Sequence, residues 1–242
     1  ISFKIPAGQK VALVGKMGSG KSTLSKLIAG MIEPTSGAIL IDGIDVRQID
    51  PADVRKNIGV MLQESWLFSG TIRENIQMGF NEYDDEHILE ICKVAGVDEF
   101  VGSHPKGYEL EIKERGIGLS GGQKQAINLA RSLIHKPDVL LLDEPTSSMD
   151  QGTEQKVVSS LRQFCREKTM LIVTHRNPIL AMVDRVFVME SGKIITDQAS
   201  FINLSAAFYY RAGPTTTFSQ TIPVASDLTG EKEPIQLLHA RR

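Results

Sequence analysis

Cysteine is scarce in this chain, with only Cys92 and Cys165 among 242 residues. They lack metal-like or redox-like spacing, which excludes a disulfide scaffold and a cysteine-built zinc cluster. Two buried thiols in a reducing compartment is the expected state. No apolar run approaches the roughly 18 residues that carry a helix across a bilayer, and no charged-then-apolar opening reads as a secretory leader. By itself the chain is expected on the cytoplasmic side, and membrane work would need another segment or subunit. Excess charge is also lacking: the formal net charge is −2. No nucleic-acid partner is expected from that balance. The 41% hydrophobic and 23% charged fractions suit a globular chain with a real core.

Strand and helix patterns alternate along most of the length. The chain starts at Ile1, and Ser2-Phe3-Lys4-Ile5 already alternates like a strand, so it is expected to begin inside a domain. Val11-Ala12-Leu13-Val14, Ala38-Ile39-Leu40-Ile41 and Ile58-Gly59-Val60-Met61 read as strands. Val139-Leu140-Leu141-Leu142 is continuous apolar sequence, as in a strand buried on both faces. Helix is expected from Ser22 to about Met31 and near 153–165, with strands at 170–173, 185–189 and 193–196. This alternation predicts an α/β fold with a largely parallel sheet. Residues from about 71 to 136 are mainly helical in period and read as an inserted helical subdomain. From 199 to 242 the period is lost, and composition predicts a divergent or disordered tail. Its aromatic cluster Phe208-Tyr209-Tyr210 is the one feature against full disorder.

Gly15-Lys16-Met17-Gly18-Ser19-Gly20-Lys21-Ser22, followed by Thr23, fits G-x-x-x-x-G-K-[ST] between a strand and a helix. The glycines let backbone N–H groups turn inward around phosphates, and the helix start adds partial positive charge. Lys21 is positioned to reach β- and γ-phosphates, and the Ser22 hydroxyl to bind Mg²⁺. Any nucleoside triphosphate enzyme could carry this motif. The strand 139–142 ends in Asp143-Glu144. Asp143 is the expected second ligand of Mg²⁺, and Glu144 the expected general base for an attacking water. Ligands of parallel sheets gather at the carboxyl ends of strands, where this pair falls.

Leu119-Ser120-Gly121-Gly122-Gln123 precedes a further helical run. A serine and two glycines at a helix start make a second phosphate-binding surface, and one ATP needs only one cradle, so a second implies a site shared by two copies. Here the chain resembles the ABC transporter ATPase family, over roughly residues 1 to 197. The motifs stand in the family's order: the phosphate loop, Gln63 at the Q-loop position, the signature Ser120-Gly121-Gly122-Gln123, the Asp143-Glu144 pair, Ser147-Ser148-Met149-Asp150 at the D-loop, and His175 as the switch histidine. Gln63 or His175 alone would be weak evidence; their place in this order gives them meaning. The resemblance implies a P-loop NTPase with a small antiparallel β subdomain whose first strand, with its adenine-stacking aromatic, is missing. It also implies a head-to-tail homodimer with ATP and Mg²⁺ between the phosphate loop of one copy and Ser120-Gly121-Gly122 of the other. Gln63 would touch the metal, His175 the γ-phosphate, and Asp150 the shared interface.

Trp66-Leu67-Phe68-Ser69-Gly70-Thr71-Ile72-Arg73-Glu74-Asn75-Ile76 resembles the exporter version of the segment after the Q-loop, which faces a transmembrane permease domain. Glu114-Arg115-Gly116 resembles the exporter X-loop. His104-Pro105-Lys106-Gly107-Tyr108 and residues 143–150 are most similar to type I secretion ATPases, which move protein cargo with a membrane-fusion protein and an outer-membrane channel. The resemblance implies a place at the cytoplasmic face of the inner membrane. Bacteriocin, lipid, peptide and drug exporters share most of these residues. Soluble ABC ATPases of DNA repair or translation are the alternative class, but they carry long coiled coils or a second cassette. The signature and His175 exclude a plain P-loop kinase.

Overall fold

The computed structural model describes residues 1–63, 66–80, 83–199 and 235–238. In chain order the elements are β1 (Phe3–Ile5), β2 (Lys10–Val14), α1 (Lys21–Ile28), β3 (Ala38–Ile41), β4 (Ile44–Asp45), α2 (Pro51–Asn57), β5 (Ile58–Met61), β6 (Gly70–Thr71), α3 (Ile72–Gln77), α4 (Asp85–Ala95), α5 (Asp98–Val101), β7 (Glu111–Ile112), α6 (Gly121–Leu133), β8 (Val139–Asp143), α7 (Gln151–Phe164), β9 (Thr169–Val173), α8 (Asn177–Leu180), β10 (Arg185–Glu190), β11 (Lys193–Ala199) and β12 (Ile235–Leu238).

The main sheet has the order β11-β10-β2-β9-β8-β5. Its strands from β10 to β5 run parallel, and β11 is an antiparallel edge. The expected α/β fold is therefore present. In β8, Leu140 and Leu142 face one core with α3, α4, α6 and α7, while Leu141 faces the other with α1 and the smaller sheet. That alternation explains the continuous apolar run: both faces of the strand are covered. Each such leucine contributes about 1.5–3 kcal/mol by leaving water. Phe3 of β1 meets Phe187 of β10 edge to face at 5.0 Å, which pins the smaller sheet to the larger.

The smaller sheet is antiparallel with the order β1-β12-β3-β4. Its inner strand β12 pairs Phe3 with Leu237 on one side and Ile39 with Leu237 on the other. Composition alone put 235–238 in an aperiodic tail; pairing on both edges makes it a strand. The cluster Phe208-Tyr209-Tyr210 lies outside the described residues.

The mainly helical stretch between β5 and β8 also holds the short antiparallel pair β6–β7, with Gly70 opposite Ile112. Its helices α3 and α4 start where short polar side chains cap them. Thr71 and Glu74 close a capping box on α3, and Asp84 caps α4 through His87 N. Cys92 and Cys165 are both fully buried, as the sequence implied. Burial pushes both thiols up to about 12, so neither carries thiolate at neutral pH. No helix among the described residues is long and apolar enough to cross a membrane.

Candidate functional site

β2 and α1 frame the loop 15–20, so the glycine-rich motif sits between strand and helix as its spacing predicts. Gly15 has φ 157, and a Cβ there would lie 2.2 Å from the Met189 carbonyl oxygen. Only glycine lets the loop pass this close to the end of β10. Lys16, Met17 and Gly18 are exposed at the loop's tip, with Met17 wholly so, and Ser19 is buried at its base. Gly20 precedes α1 in the left-handed region. Lys21 folds back into the loop, donating to Gly15 O at 2.7 Å and Lys16 O at 2.9 Å. Burial lowers its pKa, against the pull of Asp143 and Glu144. Thr23, one residue after Ser22, is exposed in the first turn of α1.

The parallel register brings β8 beside β9, and both strands end at the same edge as the loop. There the Ser22 hydroxyl donates to Asp143 Oδ2 at 3.0 Å. Asp143 is buried, which raises its pKa, and the Ser22 bond opposes that rise. Glu144 follows with its backbone at φ 50, turning the chain out of the strand. Its carboxylate lies 3.6 Å from His175 Nε2. Burial raises the Glu144 pKa, and His175 partly offsets it. Ser22 and Asp143 together offer one hydroxyl and one carboxylate, both hard oxygen donors. That set fits Mg²⁺, which keeps several waters and takes its remaining ligands from phosphates. Among the described residues, no group of three or more His, Cys, Asp or Glu forms a self-sufficient metal site. Gln63 is exposed two residues beyond β5, on the same edge of the sheet.

The second glycine motif lies elsewhere. Ser120 caps α6, accepting from Gln123 N at 3.2 Å, while Gln123 Oε1 accepts from Ser120 N at 2.8 Å. Gln123 is thus part of a capping box. The nearest neighbours that a Cβ on Gly121 or Gly122 would meet are Ser148 and Met149, not the loop 15–22. Asp150 caps α7, accepting from Gly152 N and Thr153 N at 3.0 Å each; these bonds lower its pKa.

Several polar residues that sequence reasoning passed over hold the 144–150 loop. Gln125 bonds to its backbone, Arg176 donates to Ser147 O at 2.8 Å, and buried Glu154 accepts from Thr146 Oγ1 at 2.7 Å. Nothing local in the sequence separates them from ordinary helix polar residues. Trp66 and Phe68 are 59% and 40% exposed, while Leu67 between them is buried. The guanidinium of Arg115 lies 4.3 Å over the Trp66 ring, so two segments the sequence singled out separately form one patch. A concavity of about 460 Å³ lined by Lys93, Asp98, Glu99, Thr153 and Lys156 lies between α4, α5 and α7, away from the loop 15–22.

Residues 1–147 match the family described as ABC transporter. The multidrug export ATP-binding/permease protein YgaD of Bacillus subtilis is 43% identical over 81% of this chain and 34% of its own length. The cyclolysin secretion/processing ATP-binding protein CyaB of Bordetella pertussis is 41% identical over 80% of this chain and 27% of its own. Heavy metal tolerance factor 1 of Caenorhabditis elegans is 42% identical over 81% of this chain and 24% of its own. The chain thus spans about a third or less of the length of these relatives. Among solved structures, a bacterial Atm1-family ABC exporter with ATP bound is similar at TM-score 0.77 and 34% identity, covering 85% of this chain and 35% of that one.

Proposed function

The chain belongs to the ATP-binding domains of ABC transporters, and from that premise we propose that it binds and hydrolyses ATP to drive export through a permease domain. The observation that carries this reading is the meeting, at one sheet edge, of Lys21, the Ser22–Asp143 pair at 3.0 Å and the Glu144–His175 pair at 3.6 Å. In the proposed mechanism the loop 15–20 wraps the phosphates with backbone N–H groups. Lys21 exchanges its loop carbonyls for the β- and γ-phosphate oxygens. Ser22 and Asp143 would hold Mg²⁺, which would supply charge neutralisation, and Gln63 lies at the edge where it would join them. Glu144 orients the water and takes its proton, and exposed His175 contacts the γ-phosphate. The chemistry is mostly positioning and charge stabilisation.

Because Ser120-Gly121-Gly122-Gln123 starts α6 away from the loop 15–22, we assign it to the nucleotide of a second, head-to-tail copy, with Asp150 near that interface. The exposed Trp66–Phe68 patch is the proposed contact for the permease domain at the cytoplasmic face of a membrane. Within export, we favour protein cargo carried with a membrane-fusion protein and an outer-membrane channel. The residues 104–108 and 143–150 support that choice, as does the 41% identity to the secretion protein CyaB.

The deciding experiment measures ATP hydrolysis across protein concentration, with Glu144→Gln as control. Specific activity that rises with concentration and falls at least 100-fold in the variant supports a shared-site ATPase; normal turnover by the variant refutes it. A chimaera carrying this chain in place of a type I secretion exporter's ATP-binding domain tests the cargo. Secretion supports protein export, whereas an active ATPase that secretes nothing points to small-molecule export.

A further inference from the structure

The loop that leaves β8 is gripped by a single side chain from α6. Gln125 Nε2 donates to Glu144 O at 2.6 Å and to Ser147 Oγ at 3.0 Å. Gln125 Oε1 accepts from Ser148 N at 2.8 Å. Ser147 also donates to Glu144 O, from its N at 3.3 Å and from its hydroxyl at 3.2 Å, so the Gln125 bond is the shortest of the three. This grip requires α6 to press on the loop. A Cβ on Gly121 would lie 3.3 Å from Ser148 Cβ, and one on Gly122 would lie 3.1 Å from Ser148 O. The signature glycines therefore have a role within this one chain, separate from any phosphate.

Glu144 needs such a grip. Its φ of 50 is a left-handed conformation for a residue with a side chain. Residues in that region persist only where their surroundings over-determine them. The Glu144 N–H is fixed to the sheet by Val173 O at 2.8 Å. Its carbonyl is fixed from α6 by Gln125. The direction of the carboxylate follows from those two ends of one residue.

We propose that Gln125 is a positioning residue, tying the start of α6 to the backbone of Glu144 and so aiming the carboxylate that activates water. The same helix start carries 120–123, so a shift of that surface reaches this copy's own hydrolytic residue through one amide. The proposal rests on the reading of Glu144 as the residue that activates water.

The test uses the full chain with Gln125→Leu, Gln125→Glu, Glu144→Gln and the double variant Gln125→Leu/Glu144→Gln. Affinity is read by titration with a fluorescent ATP analogue, turnover by phosphate release, and folding by thermal melts. Both Gln125 variants lack the amide donor, whereas Gln125→Glu keeps the acceptor for Ser148 N and is nearly isosteric. Each is expected to lower kcat about tenfold or more, with KM and affinity changed less than twofold. In the Glu144→Gln background, Gln125→Leu is expected to change the residual rate less than twofold, because the residue it acts through is already disabled. Unchanged kcat in Gln125→Glu overturns the proposal. So does an undiminished effect in the Glu144→Gln background, or a loss of affinity and melting temperature in step with kcat. Normal turnover by Glu144→Gln alone strikes down the reading of Glu144, and the proposal with it.

Discussion

Glu144 combines a strained backbone, a partly buried carboxylate and a histidine neighbour. Burial favours its neutral form, so its pKa lies above the ordinary 4.5, with His175 pulling it back. In its proposed role as base Glu144 works only when deprotonated, so the acid limb of the kcat–pH profile is expected above 4.5, not at it. A pH series under saturating ATP checks this. The same shift has a stability consequence. The folded state holds the proton more tightly than the unfolded state, so stability falls as pH rises from the unfolded value through the raised folded one. Above that window Glu144→Gln removes a poorly solvated charge, and is expected to raise stability by ~0.5–1 kcal/mol while hydrolysis collapses. Thermal melts at neutral pH measure that opposition. Lys21 shows the converse: burial lowers its pKa, and phosphates would restore its preference for charge. Lys21→Ala is expected to weaken ATP binding at least tenfold in a titration, because the phosphates lose their main protein cation.

Among the elements, the loop between β2 and α1 leaves little room for substitution at its first glycine. Gly15→Ala would drive a Cβ to 2.2 Å from the carbonyl oxygen of Met189, which pairs with Ile194 of β11 directly after the Val188–Val14 pair that joins β10 to β2. A loss of about 2–3 kcal/mol is expected, read as a lower denaturation midpoint. α6 shows how much a helix start conveys. Ser120 at the cap and Gln123 three residues on announce a capping box in the sequence. What the sequence leaves hidden is that Gln125, two residues further, turns toward the 144–150 loop. A polar residue in a helix carries no mark of its partner until the fold brings that partner near. The same holds for Arg115, which meets Trp66 only because the chain returns beside it after α5 and β7.

For the whole molecule, the distribution of pairing across distant segments matters most. β12 lies between β1 and β3, so removing it strips hydrogen-bond partners from two strands at once. A chain ending before 235 is expected to melt several degrees lower than the full chain, by differential scanning calorimetry. An unchanged midpoint would mean that β12 contributes nothing to the stability of the smaller sheet. The sequence by itself determined the alternating α/β plan, the glycine-rich loop between β2 and α1, the acid pair at the end of β8 and the family. Those features are local: a strand period, a glycine spacing and a capping pair are fixed within a few residues. Tertiary structure alone decided that Ser22 meets Asp143, that α6 grips the backbone of Glu144 through Gln125, and that 235–238 becomes a strand. Each joins residues far apart in the chain, and only packing around a shared core brings such residues within hydrogen-bond reach.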